Sequence, residues 1–118
     1  MNDAQAQQAA RSIILESAGP AYLVDAEGFI RAWNTAASAF FGIPAWLASA
    51  QPCHHVLRCS AAERQCPLRG DCRSATFEVC FGLRGVAATR VRHTPVLDAE
   101  GDLAAVVHEL MPEGQETT

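Results

Sequence analysis

Hydrophobic and polar positions change period several times along the chain, and each change marks an element. Asp3 caps a helix expected over residues 3–17, in which Ala6, Ala9, Ala10, Ile13, Ile14 and Ser17 recur at helical spacing. Gly19 and Pro20 stop it. Only two large aliphatics lie on that stripe, so the helix is expected to pack closely on a sheet or against its twin in a dimer rather than to stand alone. Residues 21–24 read as a short strand, 25–28 as a turn and 29–33 as a second strand, which makes a hairpin. Asn34 caps a helix over residues 35–41 that Gly42 ends in the left-handed conformation, and Pro44 opens another helical turn carrying Trp46 and Leu47.

The later half alternates with period two. Phe77, Val79 and Phe81 interleave with Thr76, Glu78 and Cys80 as in a half-buried strand, and residues 82–85 make a turn. Residues 86–95 form a longer strand with Thr89, Val91 and His93 on one face and Arg90 and Arg92 on the other. A second turn over 98–102 leads to residues 103–110, apolar on both faces. That strand is expected at the centre of its sheet, with the core on one side and the N-terminal helix on the other. The sum is an α+β fold: a five-stranded antiparallel sheet, short helices on one face and an N-terminal amphipathic helix. The expected organisation is a helix over residues 1–18 that covers the sheet or dimerises, a sheet domain over 19–111 and a polar tail over 112–118.

Composition narrows the function. A chain of 118 residues supports one modest core, and 49% hydrophobic with 19% charged residues fits a globular domain. No apolar run approaches the roughly 20 residues that span a bilayer. The net charge is −4, and nine arginines scattered singly without a lysine give no basic stripe for a phosphate backbone, which argues against direct nucleic-acid binding. Nothing at the N-terminus resembles a signal peptide, so a reducing cytoplasm is the expected compartment and structural disulfides are disfavoured.

The chemistry concentrates in residues 53–72, where Cys53, Cys59, Cys66 and Cys72 are separated by five, six and five residues. No straight helix places four positions so spaced on one face, so the backbone must coil around a point, with Pro67, Gly70 and Asp71 supplying bends. Four thiolates would complete a tetrahedral zinc site or ligate an iron–sulfur cluster, and His54 or His55 could replace one of them. Free thiols behaving as small hydrophobes, or a redox-switching disulfide, are the competing readings. Cys80 falls on the strand face away from the phenylalanines and is not expected to be a ligand. Glu63, Asp71 and Glu78 lie near the cysteines in sequence, yet no spacing pairs a nucleophile with its base, and no phosphate loop is present, so no enzyme is expected.

The run Tyr22-Leu23-Val24-Asp25-Ala26-Glu27-Gly28-Phe29-Ile30, then Trp33-Asn34-Thr35-Ala36-Ala37 and Phe40-Phe41-Gly42, resembles the opening of a PAS domain. Pro52 to Arg58 followed by Cys66-Pro67-Leu68 resembles a cysteine-bearing subgroup found in bacterial regulators, and the likeness spans about residues 10–110. It implies that the helical face encloses a ligand or cofactor, which puts the cysteines on the sensing side. The function it implies is a sensor of redox state, oxygen or a small ligand, acting as a homodimer or on a regulatory protein or output domain. Haem is the alternative cofactor, held by His54 or His55 with His93 lining the pocket; by the strand pattern alone His93 and His108 read as hydrogen-bonded core histidines. Leu110-Met111-Pro112-Glu113 departs from the Asp-Ile-Thr-like ending of the family, and Asp71-Cys72-Arg73-Ser74 is not the flavin-photosensor run, which disfavours blue-light adduct chemistry. The remaining alternative is an interaction module whose cysteines are structural, around zinc.

Overall fold

The computed structural model describes residues 3–57, 75–79 and 89–111. In chain order the elements are α1 (Asp3–Glu16), β1 (Ala21–Asp25), β2 (Ile30–Trp33), α2 (Thr35–Phe41), α3 (Ala45–Ala48), α4 (Cys53–Leu57), β3 (Ala75–Val79), β4 (Thr89–Leu97) and β5 (Leu103–Met111). The strands form one antiparallel sheet in the order β2-β1-β5-β4-β3. β5 is central, as its two apolar faces require. The expected α+β sheet is therefore present; β4 runs on to Leu97, two residues beyond the alternation pattern, and residues 86–88 of the expected strand lie outside the described residues. The 82–85 turn, Cys80 and the 112–118 tail lie outside the described residues.

Each face of the sheet has its own core. On the outer face Ala10 and Ile14 of α1 pack on Ala21, Leu23, Ala32, Ala105 and Val107. The buried stripe of the helix is narrower than its sequence pattern: Ala6, Ala10 and Ile14 are buried, whereas Ile13 is 59% exposed. Positions four apart stay on one line of a helix, while Ile13 is rotated a further 100° or so from Ile14 and points away from the strands. Small alanines let α1 approach closely. On the inner face Tyr22, Val24, Ile30, Trp33, Val91 and Leu110 meet Ala37, Phe41, Ala48 and Leu57 from the helices that follow β2.

A bulge makes β2 serve the inner face twice. Leu23 pairs with Ala32 but Val24 pairs with Ile30, so Arg31 is the extra residue, and both Ile30 and Trp33 point inward. The bulged Arg31 turns to Asp25, whose Oδ2 accepts from its Nε at 2.6 Å. Asp25 Oδ1 accepts from the N–H groups of Glu27 and Phe29, both at 3.0 Å. The β4–β5 turn repeats the device: Asp98 Oδ1 accepts from Glu100 N–H at 2.9 Å and Asp102 N–H at 3.0 Å, in the same Asp-Ala-Glu-Gly sequence. Gly28 and Gly101 have φ of 96° and 86°, which glycine adopts without steric cost.

Asn34 joins four segments. Its Oδ1 accepts from Ala37 N–H at 2.8 Å, capping α2, and from Ala21 N–H at 3.1 Å at the start of β1. Its Nδ2 donates to the carbonyls of Ile14 at 3.1 Å and Gly19 at 2.8 Å. α2 ends at Gly42, with φ of 72° and its N–H on Ser38 O, as expected.

Candidate functional site

The register of four strands lays one row of rings across the inner face. Trp33 pairs with Tyr22, Tyr22 with His108, and His108 with His93, so the row crosses β2, β1, β5 and β4. Centroid separations along it are 5.5 Å, 4.5 Å and 4.7 Å. Tyr22 and His108 are stacked with planes 12° apart, and His93 meets His108 edge to face at 81°. Phe41 of α2 closes the Trp33 end, 5.2 Å from its ring. The indole N–H donates to Ile43 O at 2.9 Å, which satisfies the one polar atom of that side chain.

Both imidazoles are buried. Burial pushes the His93 pKa down to about 4. His108 is lowered to about 3, first by burial and then by the charge of nearby His93, against a smaller raising effect from its backbone hydrogen bond. Nδ1 of His108 is 3.2 Å from the Val106 carbonyl, so the core histidine expected from the strand pattern is indeed hydrogen-bonded. Neutral rings are thus the resting form of the pair.

The cysteine stretch enters beside this face. Residues 50–53 run along the free edge of β2: Ala50 N–H donates to Ile30 O at 2.8 Å, Ile30 N–H to Gln51 O at 2.9 Å, and Cys53 N–H to Gly28 O at 2.8 Å. Half-buried Cys53 packs against the inner core cluster, and His55 in α4 is exposed. Cys59, Cys66, Cys72 and the side chain of His54 lie outside the described residues. Of the sequence candidates, Cys53 and His93 are therefore on the inner side. His108 completes the row as the residue that pattern reading left in the core, and its partnership with His93 depends on the register of β4 against β5.

Among the described residues, the one set of three acidic, histidine or cysteine side chains with ligand atoms within 4.8 Å is Asp98, Glu100 and Asp102. These sit in the exposed β4–β5 turn, where the backbone contacts of Asp98 account for its position. No described helix is long and apolar enough to cross a membrane.

Solved structures of the same architecture are numerous. The chain superposes on the PAS domain of nitrogen regulation protein NR(II) from Vibrio parahaemolyticus with a TM-score of 0.65 and 21% identity, covering 85% of this chain and 94% of that one. The PAS domain of BvgS from Bordetella pertussis gives 0.64 and 18% identity over 88% and 82% of the two chains. That of the fruit-fly ELK potassium channel gives 0.67 and 13% over 88% and 94%. Neither a family model nor a curated protein sequence matches the chain.

Proposed function

We propose that this chain, which has the PAS fold, is the sensory module of a signalling protein, registering a chemical change on the inner face of its sheet and passing it to a partner. The observation that carries the proposal is the row Trp33–Tyr22–His108–His93. Two neighbouring imidazoles on a buried face cost stability that aliphatic side chains would not, and polar groups kept at such a cost are characteristic of binding sites. Cys53, packed against the same cluster, supports a metal centre there, with Cys53, Cys59, Cys66 and Cys72 as thiolate ligands and His54 or His55 as a substitute. An iron–sulfur cluster makes the module a redox or oxygen sensor. The signal passes to a second copy of the chain or to a regulatory protein in the cytoplasm, and none of these residues is given a catalytic role.

Mechanically, the change at the cysteine stretch reaches the sheet through the edge ladder of residues 50–53 on β2 and through the inner cluster, biasing one of two packings. The test is purification without oxygen followed by visible absorption and assay of iron, zinc and acid-labile sulfide, on the wild type and on Cys66→Ser. Broad visible absorbance with iron and sulfide, lost in the variant, supports the cluster sensor. A single zinc and no colour overturns redox sensing in favour of a structural staple. A sharp Soret band moves the sensing group to haem, and a metal-free, colourless protein overturns the metal centre.

A further inference from the structure

His108 has the anchoring that metal-binding histidines use. A carbonyl oxygen can only accept, so the contact of 3.2 Å between Val106 O and Nδ1 of His108 fixes the ring proton on Nδ1. In a neutral ring Nε2 then carries the lone pair. Ligating histidines commonly hold one nitrogen on a backbone carbonyl in this way and offer the other to the ion. Burial disfavours the charged form of both rings, so each keeps one unprotonated nitrogen.

The spacing of the pair also fits. Two imidazoles on one tetrahedral ion, with metal–nitrogen bonds of about 2.0–2.1 Å, hold their ring centroids about 5 Å apart. The centroids of His93 and His108 are 4.7 Å apart with planes at 81°. The charge environment does not oppose a cation: the described arginines, Arg11, Arg31, Arg90 and Arg92, are all exposed, and neither face neighbour of the pair, Tyr22 or Leu110, is cationic.

We propose that His93 and His108 together bind a first-row transition-metal ion such as Zn²⁺, Co²⁺ or Ni²⁺, with the remaining coordination positions taken by water. The site shares its side of the sheet with the cysteine centre proposed above but stands on the histidines alone. Imidazole suits these ions better than it suits magnesium or calcium, which take oxygen ligands. Such an ion joins β4 to β5 on the inner face, so its binding stiffens the centre of the sheet.

Co²⁺ titration of the metal-free, reduced full chain tests this, because d–d bands report the ion and thiolate-to-cobalt charge transfer reports sulfur separately. The wild type is compared with His93→Phe and His108→Phe, each first checked for folding by circular dichroism. The expected result is d–d bands in the wild type and an affinity about tenfold or more lower in each variant. Charge transfer that weakens together with those bands in the variants identifies sulfur in place of water on the same ion and also supports binding by the histidines. Charge transfer with unchanged affinity in both variants overturns it while leaving the cysteine centre standing. No Co²⁺ binding by the wild type overturns it, while the cysteine centre is judged by its own assay of iron, zinc and sulfide. If a variant does not fold, ¹⁵N-histidine spectra of the wild type decide: Zn²⁺ must shift the ring signals of His93 and His108, and unmoved signals overturn the proposal.

Discussion

The imidazole of His108 lies flat on the ring of Tyr22, centroids 4.5 Å apart and planes 12° apart, on the neighbouring strand. A group that water ordinarily solvates is held instead by an aromatic face and one carbonyl. The free energy of that arrangement depends on pH. Unfolded histidines titrate at 6.5, whereas in the fold His93 does so at about 4 and His108 at about 3.

Stability is therefore full above the unfolded value and declines as pH falls through it, because the unfolded chain takes up protons that the folded chain refuses. The expected decline is about 2 kcal/mol per histidine between about pH 7 and 5, levelling only once the folded rings protonate. Urea unfolding across that range measures it. His108→Phe keeps a ring against Tyr22 and should flatten the decline substantially; equal slopes in variant and wild type would contradict a buried neutral His108.

The twin turns separate burial from hydrogen bonding. Asp25 is buried and accepts from two backbone N–H groups and Arg31, whereas Asp98 makes the same pair of backbone bonds near the surface. Asp25→Ala leaves two part-buried backbone donors and Arg31 without their acceptor and should cost about 2–3 kcal/mol. Asp98→Ala should cost about 1 kcal/mol, since water replaces the carboxylate. Denaturation midpoints of the two variants, if equal, would show that the shared turn alone sets the cost.

Asn34 is irreplaceable in both directions. Its oxygen serves two donors and its nitrogen two carbonyls. Asn34→Ala should destabilise by about 2–4 kcal/mol. Asn34→Asp retains the α2 cap but directs a carboxylate at the carbonyls of Ile14 and Gly19, so its stability should fall further as pH rises above the carboxyl pKa. A variant as stable as the wild type at neutral pH would refute that account.

Substitutions on α1 should divide sharply. Ala10→Leu inserts a side chain where the helix meets Leu23 and Ala105, and about 1–3 kcal/mol of overpacking is expected. Ile13→Ser, on the exposed side, should stay within about 0.5 kcal/mol. Thermal melts of the two proteins check the orientation of the helix.

Much of this fold was legible because alternation is a local signal. Thr89, Val91 and His93 are buried while Arg90 and Arg92 are exposed, as the strand pattern required, and the two-faced apolar run is the central strand. The row of rings was not legible, because bulges decide it. Leu97 pairs with Leu103, but beyond Ala104 the register slips by one residue. Without that slip His93 would oppose Val107, on the other face of β5. Nothing in a single strand's periodicity announces such an insertion. Asn34 was readable as a cap but not as a tie between α1 and β1, since those partners are distant in sequence. The cysteine spacing argued against a straight helix without fixing where each sulfur points, because a spacing that fits no single period leaves no face to extrapolate.

The pairing of β1 with β5, Ala21 opposite Glu109 through Asp25 opposite Ala105, sets the order of events during synthesis. The β1–β2 hairpin emerges from the ribosome well before β5, its long partner, which follows the described helices and the other two strands. Until then Leu23 and Val24 have no neighbour on that edge. That pairing must close a long loop, which raises the contact order of the domain and should slow its folding relative to helical chains of its size.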